Sequence, residues 1–155
     1  MLRALAISLC LTLVPLPAIA DTGHDSAGIQ LADSAGINVV VTVVHARKRE
    51  GGVAPELSKL DKYLVKSFPN YKSFSQLATS QQRLAIGAKG KLTLANGSEL
   101  VFEHTGWKDG YAALHLDVGG LTSTVNVKDG GTFFQAGRGY DGGMIVLAFE
   151  VSAAR

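Results

Sequence analysis

The chain has 155 residues, of which 46% are hydrophobic and 18% are charged, a balance typical of one globular domain and unlike that of a disordered chain. Its 18 glycines and 4 prolines follow no three-residue repeat, which excludes a collagen-like or proline-rich chain and favours a turn-rich β protein. The net charge of +2 is unevenly distributed, because residues 45–91 hold ten lysines and arginines against three acidic residues. Such a basic segment predicts either a solvated surface or a face for an anionic partner.

The first twenty residues have the pattern of a signal peptide. Arg3 gives a charged start, residues 4–15 form an apolar stretch, and Ala18 to Ala20 is a small-x-small cleavage site. We expect cleavage after Ala20 and export to the periplasm or the extracellular space. The apolar stretch is short for a membrane span and no later one is long enough, so we expect no transmembrane segment in the mature chain. Because Cys10 lies in this peptide, we also expect no disulfide and no cysteine metal ligand.

Residues 21–36 are small and polar without a period, which predicts a flexible N-terminal segment before a single β-rich domain over residues 37–155. The run INVVVTVVH over residues 37–45 is the clearest strand, and its apolar residues on both faces indicate a central position. The last strand, over residues 144–151, is also apolar on both faces. We therefore expect the first and last strands to be neighbours in one sheet.

An amphipathic helix is predicted from Pro55, a residue favoured at the first helical position, to Phe68, which precedes Pro69. Its apolar stripe consists of Leu57, Leu60, Leu64 and Phe68, at helical spacing.

Three lysines, Lys59, Lys62 and Lys66, fall on the opposite side of this helix, and a basic loop from Arg47 to Arg49 precedes it. We take the three lysines as candidate binding residues for an envelope protein, an anionic envelope polymer or lipid headgroups. Nucleic acid is not an expected partner, because no aromatic residues alternate with the basic ones.

The rest of the chain predicts strands separated by tight turns. Residues 71–77 and 79–86 read as two short strands, and five turn dipeptides then recur about every ten to thirteen residues. These turns are Asn96-Gly97, Asp109-Gly110, Gly119-Gly120, Asp129-Gly130 and Gly142-Gly143. The predicted class is α+β, mainly β: an antiparallel β-sandwich or meander with one amphipathic helix packed on it.

The apolar pattern also predicts the register of two hairpins. A two-residue loop at Gly119-Gly120 pairs Val118 with Leu121. For the preceding hairpin, a three-residue loop from Lys108 to Gly110 keeps the apolar faces consistent. That loop sets three pairs opposite each other: Leu100 and Val118, Phe102 and Leu116, and Trp107 and Tyr111.

The two predicted registers decide which polar side chains could lie together as a metal site or a catalytic group. They put His104 and His115 on opposite faces of the sheet, so we expect no metal site, and nothing in the sequence indicates a cofactor. They align Glu103, His115 and Thr124 in one outward row, which is similar in composition to a nucleophilic triad. A polar cross-strand ladder is the simpler interpretation, because triad nucleophiles lie on turns or in clefts.

The glycine-rich segment AGRGYDGG, residues 136–143, predicts a long, mobile hairpin loop. It lacks the lysine and hydroxyl residue of a phosphate-binding P-loop. Its Arg138 and Tyr140 are of types favoured at interfaces, so they are candidate binding residues.

Two stretches of the chain carry a resemblance to other proteins. TSTVNVKDGGTFFQAGRGYDGGMIVLAFE resembles a group of exported Gram-negative bacterial proteins that pair such a strand-rich end with a helical segment like PELSKLDKYLVKSFPNYKSFSQL. The resemblance covers residues 37–151 and implies export, but it implies no activity and no functional residues.

The leading hypothesis is a non-enzymatic envelope protein that binds another envelope component, such as an accessory of a secretion or surface assembly. Two alternatives remain open at this point: a secreted hydrolase that uses the outward row, and a binder of a small ligand such as a lipid in an apolar cavity between sheet and helix.

Overall fold

The computed structural model of the chain describes residues 36–155. In that range the protein is mainly β, with nine strands and one short α-helix that follows a 3-10 turn. The elements in chain order are β1 (Ile37–Arg47), β2 (Gly52–Val53), the 3-10 turn (Pro55–Leu57), α1 (Asp61–Ser67), β3 (Ser73–Leu84), β4 (Lys89–Thr93), β5 (Glu99–Lys108), β6 (Tyr111–Val118), β7 (Leu121–Lys128), β8 (Gly131–Tyr140) and β9 (Gly143–Ala153). The predicted signal peptide and, apart from Gly36, the predicted flexible segment lie outside the described residues. Between Gly36 and Arg155, no helix is long and apolar enough to cross a membrane.

The five-stranded sheet has the order β2-β3-β1-β9-β8. β1 and β9 pair antiparallel, from Ile37 opposite Ala153 to Ala46 opposite Met144, which confirms that the first and last strands are neighbours. Val43 and Val44 follow each other in β1 and are both fully buried. Because successive residues of a strand face opposite sides, both faces of this part of the sheet are covered.

The four-stranded sheet is a meander with the order β4-β5-β6-β7. The β6–β7 hairpin has the predicted register, with Val118 opposite Leu121. Its turn residues Gly119 and Gly120 have φ angles of 57° and 89°. A two-residue type I′ turn needs positive φ at both positions, which explains the glycine pair.

The β5–β6 hairpin corrects the predicted turn. Its loop is the two-residue Asp109-Gly110 and not a three-residue loop, and a bulge at Thr105 takes up the additional residue. Trp107 therefore lies opposite Ala112 and not, as predicted, opposite Tyr111. Beyond the bulge the predicted pairs are confirmed: Leu100 with Val118 and Phe102 with Leu116.

β3 replaces the two short strands that the sequence predicts over residues 71–77 and 79–86. It is one strand of 12 residues. It pairs with β1 along its length, with one bulge at Leu77. A bulge shifts the inward-outward alternation by one residue. The apolar pattern of one long strand therefore looks like that of two short strands with weak alternation.

Two core clusters lie on the two faces of the five-stranded sheet. The first takes inward side chains from both sheets, among them Phe102 of β5 and Phe149 of β9. These two rings meet edge to face with their centroids 6.1 Å apart. The second cluster packs the helical region on the other face, where Leu64 joins Val146 and Phe74.

The predicted helix over residues 55–68 divides into the 3-10 turn and the shorter α1. The N–H groups of Leu57 and Leu60 donate to the carbonyl oxygens of Ala54 and Leu57, each three residues earlier. Side chains three residues apart eclipse in this geometry, so Leu57 and Leu60 face the sheet together, and Leu64 follows in α1. These three leucines are buried, and Phe68, the fourth residue of the predicted apolar stripe, is partly buried against the same cluster.

Candidate functional site

The outer side of the helical region carries a basic surface, the lysine face, which consists of Lys59, Lys62 and Lys66. All three side chains are exposed, as predicted. They line one shallow depression of about 550 Å³ together with Ser58, Asp61 and Tyr63. None of the three forms an ion pair with a residue in the described range. The lysine face therefore presents three cations to solvent around one concave surface.

The lysine face is anchored from beneath by Leu57, Leu60 and Leu64, which are exposed by 7% or less. Burial of one such side chain contributes roughly 1.5–3 kcal/mol, so the backbone under the lysines is well held. Tyr63 is 59% exposed and Val65 is 50% exposed on the same helix. Aromatic side chains are enriched at protein interfaces, so the exposed ring of Tyr63 adds a contact element to this surface.

The glycine-rich segment over residues 136–143 is not the predicted mobile loop. It forms the end of β8 and the start of β9, joined by the two-residue turn Asp141-Gly142 with φ angles of 41° and 69°. A bulge follows Ala136. At Gly137, a Cβ atom would lie 2.8 Å from the carbonyl oxygen of Ile145. The glycine at this position therefore permits close strand pairing.

Arg138 and Tyr140, the predicted binding residues of that segment, make contacts within the protein. Nη2 of Arg138 donates a hydrogen bond to the carbonyl oxygen of Gly119 at 3.0 Å, which connects β8 to the β6–β7 turn of the other sheet. The ring of Tyr140 lies edge-on to His45 with centroids 5.1 Å apart. The carbonyl oxygen of Tyr140 is 3.0 Å from Nε2 of His45. Neither residue lines the depression of the lysine face, so the two predicted sets do not form one site.

A second basic surface, the arginine pocket, lies where β1 ends. Arg47, Lys48 and Arg49 line a pocket of about 360 Å³ together with Asp141 and Gly142 of the β8–β9 turn. The run of three basic residues is visible in the sequence. Its position against the β8–β9 turn depends on the long-range pairing of β1 with β9, which brings the two loops to one end of the sheet.

The predicted polar row is present on the outer face of the four-stranded sheet. Glu103 lies opposite His115, which lies opposite Thr124. Nδ1 of His115 is 3.4 Å from Oγ1 of Thr124, and Nζ of Lys89 is 3.5 Å from Oε2 of Glu103. His115 and Thr124 are exposed in the middle of their strands. This is the geometry of a polar cross-strand ladder and differs from a nucleophile on a turn.

His104 and His115 lie on opposite faces of the four-stranded sheet, as predicted. His104 is fully buried, with its ring edge-on to Trp107 and its Nδ1 3.3 Å from the carbonyl oxygen of Ala113. Among residues 36–155, no three side chains of the metal-ligating types come together.

At the end of the five-stranded sheet that lies away from the arginine pocket, there is a pocket of about 490 Å³ whose charged groups contact each other. The pocket is lined by Asn38, Asp129, Gly130, Ser152, Ala153 and Arg155. Asp129 accepts a hydrogen bond from the N–H of Ala153 at 2.7 Å, and Nη2 of Arg155 lies 3.3 Å from its other oxygen. The hydrogen bond from Ala153, more than the charge of Arg155, holds the pKa of Asp129 below its usual value.

Comparison of the chain with known protein families, with curated proteins and with solved structures finds no match. The resemblance to exported Gram-negative proteins therefore stays a prediction, and the functional argument rests on the surfaces described above.

Proposed function

We propose that this chain is an exported, non-enzymatic protein that binds an anionic component of the bacterial envelope through the lysine face. One observation carries the proposal: Lys59, Lys62 and Lys66 surround a single depression, are exposed, and pair with no carboxylate in the described range. A partner with several negative charges, such as an envelope polymer or an acidic patch on an accessory of a surface assembly, complements this arrangement.

Two features of the lysine face support binding over simple solvation. The backbone is held by three buried leucines, so little ordering of the chain is needed when a partner binds. The exposed ring of Tyr63 lines the same depression as the lysines and offers apolar contact area with few rotatable bonds.

The proposal includes export by the signal peptide that the first twenty residues predict, with cleavage after Ala20. It also includes a sandwich arrangement of the two sheets. The core cluster that takes side chains from both sheets supports that arrangement, because inward faces of packed sheets share one core.

The two alternative functions are not favoured by a specific contact. The Glu103, His115 and Thr124 row of the hydrolase alternative lies on an exposed face. The second core cluster, which includes Leu64 and Phe74, fills the region between helix and sheet where a lipid would bind.

Site-specific crosslinking in a Gram-negative cell tests the proposal. In one variant, a photo-crosslinking amino acid replaces Tyr63. In a second variant, the matched control, it replaces Tyr111 of the four-stranded sheet, whose side chain is 45% exposed. We expect a discrete adduct with an envelope component from position 63 only. The adduct should disappear when Lys59, Lys62 and Lys66 are all changed to Gln. Equal adducts from both positions, or an adduct that survives the triple change, would contradict the proposal.

A further inference from the structure

One edge of the four-stranded sheet is formed by β7, which pairs with β6 on one side only. Val118 and Leu121 close the two-residue turn as a hydrogen-bonded pair, so the odd-numbered residues of β7 bond to β6. The backbone N–H and C=O groups of Thr122, Thr124 and Asn126 therefore point away from the sheet. They form no hydrogen bond within the described range of the chain. β7 thus presents a row of free donors and acceptors to another strand.

The other three edge strands of the two sheets carry features that discourage such pairing. β2 has only two residues. β4 carries Lys89 and Lys91, which form ion pairs with glutamates of β5. β8 is interrupted by a bulge after Ala136, and its Arg138 is engaged with the β6–β7 turn. β7 has none of these features: its eight residues pair with β6 in a continuous register, and its one charged residue, Lys128, lies at its end.

The core-facing side of β7 is apolar but incompletely covered. Leu121, Val125 and Val127 lie on that face, because they are separated by even numbers of residues. Val127 is 5% exposed and belongs to the core that both sheets share, whereas Leu121 is 63% exposed. A strand beside β7 would cover Leu121, so pairing at this edge would bury apolar surface as well as satisfy the backbone.

We propose that β7 pairs antiparallel with β7 of a second copy of this chain, about a two-fold axis at Thr124. This register sets Leu121 opposite Val127 of the second copy, and Thr122 opposite Asn126. The first pair is apolar on the core-facing side, and the second is polar and uncharged on the solvent side. The residues that meet in hydrogen-bonded pairs are those whose backbone groups point outward. The two four-stranded sheets then form one continuous sheet.

β7 is complementary to itself in this register, which is why a second copy fits its edge. A two-fold interface uses the same surface on both copies, so the strand must be compatible with its own sequence. An axis one residue later would set Leu121 opposite Asp129, and an axis one residue earlier would pair only residues 121–125. With the axis at Thr124, residues 121–127 pair without any charged residue among them. The interface uses no residue of the lysine face, so it stands independently of the proposed function.

Cysteine crosslinking tests the pairing, because the one cysteine of the chain, Cys10, lies in the predicted signal peptide. In the mature protein, Thr124→Cys should form a disulfide-linked dimer under mild oxidation. Residues that face each other in a hydrogen-bonded antiparallel pair have Cα atoms about 5.5 Å apart, within the range of a disulfide. Thr122→Cys, on the same exposed face, is the matched control. Its Cα atoms in the two copies would lie about 14 Å apart, so it should link only to Asn126→Cys when the two variants are mixed.

Analytical ultracentrifugation of the mature protein measures the same interface without a crosslink. At about 100 µM we expect mostly dimer, because an interface with a dissociation constant of about 10 µM is largely occupied at that concentration. Thr124→Lys sets two positive charges opposite each other at the axis, and it should raise the dissociation constant about tenfold or more. Thr93→Lys, on the other edge strand of the same sheet, is the control and should dimerise like the wild type.

A wild type that is monomeric at this concentration would overturn the proposal, as would a dimer that Thr124→Lys leaves intact. Equal crosslinking of Thr122→Cys and Thr124→Cys would also overturn it, because random collisions link any exposed cysteine. Dimers that form only after residues 21–35 are removed would contradict it as well, since that segment would then cover β7 in the intact chain. The crosslinks decide the outcome even if Thr124→Lys fails to fold.

Discussion

The two ends of the five-stranded sheet carry charges that are arranged in opposite ways. At one end, Asp129 accepts a hydrogen bond from Ala153 and pairs with Arg155, so the charges hold the last strand in place. At the other end, residues 47–49 gather three cations around Asp141, and none of the four charges forms an ion pair with a residue between Gly36 and Arg155. Charges that contact each other within the fold contribute to its stability. Charges that the fold gathers without such contacts contribute less, so the difference separates a structural end from a basic end, whose cations pair with no described residue.

The largest expected effect concerns the backbone of the basic end. Gly143→Ala would place a Cβ atom 2.8 Å from Nε2 of His45 and closer still to the carbonyl oxygen of Ala46. Because the paired backbone at this position can be displaced only at a cost in free energy, we expect the free energy of unfolding to fall by about 2–3 kcal/mol, measured by urea denaturation. Gly142→Ala is the control: its φ is 69° in open space, so strain alone should cost about 1 kcal/mol. A smaller loss at Gly143 than at Gly142 would contradict this view of the turn.

The second prediction concerns the structural end and its dependence on pH. The pKa of Asp129 is lowered from its ordinary value of 3.8, so its contribution to stability is present above that pH and is lost as the pH falls through the lower folded-state value. Asp129→Asn should therefore lower the melting temperature at pH 7, and the difference from the wild type should shrink as the pH falls below 3.8. Asp141→Asn, at the basic end, should not reproduce this pattern. Identical melting of wild type and Asp129→Asn at pH 7 would refute the structural role.

The smallest expected effect is at the exposed cations of the basic end. Changing Lys48 and Arg49 to Gln removes like charges that form no ion pair with residues 36–155. We expect the free energy of unfolding to stay within about 0.5 kcal/mol of the wild type. Any gain in stability at low salt, from weaker repulsion between like charges, should disappear at about 0.5 M salt because the charges are screened. A clear loss of stability in denaturation experiments would show that these charges are structural after all.

The strand pattern could be predicted where alternation is regular. The pairing of β1 with β9 and the β6–β7 register follow from apolar residues at fixed spacing. The bulges at Thr105 and Leu77 could not be predicted, because a bulge adds a residue without a distinctive composition. Glycines in residues 136–143 suggested mobility, whereas Gly137 permits the close approach of two paired strands.

The candidate sites were predictable to different extents. Exposure of the lysine face follows from helical spacing within one short segment, which sequence patterns report well. The arginine pocket requires residues 47–49 and Asp141 to meet, and that meeting depends on a strand pairing between distant parts of the chain. Arg138 is exposed but engaged with Gly119 across the two sheets, a contact that no local pattern indicates.

Sedimentation of the purified mature protein with isolated Gram-negative envelope fragments tests the central claim most directly. The account predicts that the wild type sediments at low salt and is released as salt rises, because cations that bind a polyanion are screened. The variant with Lys59, Lys62 and Lys66 changed to Gln should stay in the supernatant, while Arg47→Lys, which keeps every charge, should sediment like the wild type. Equal sedimentation of the lysine variant and the wild type would contradict binding through the lysine face.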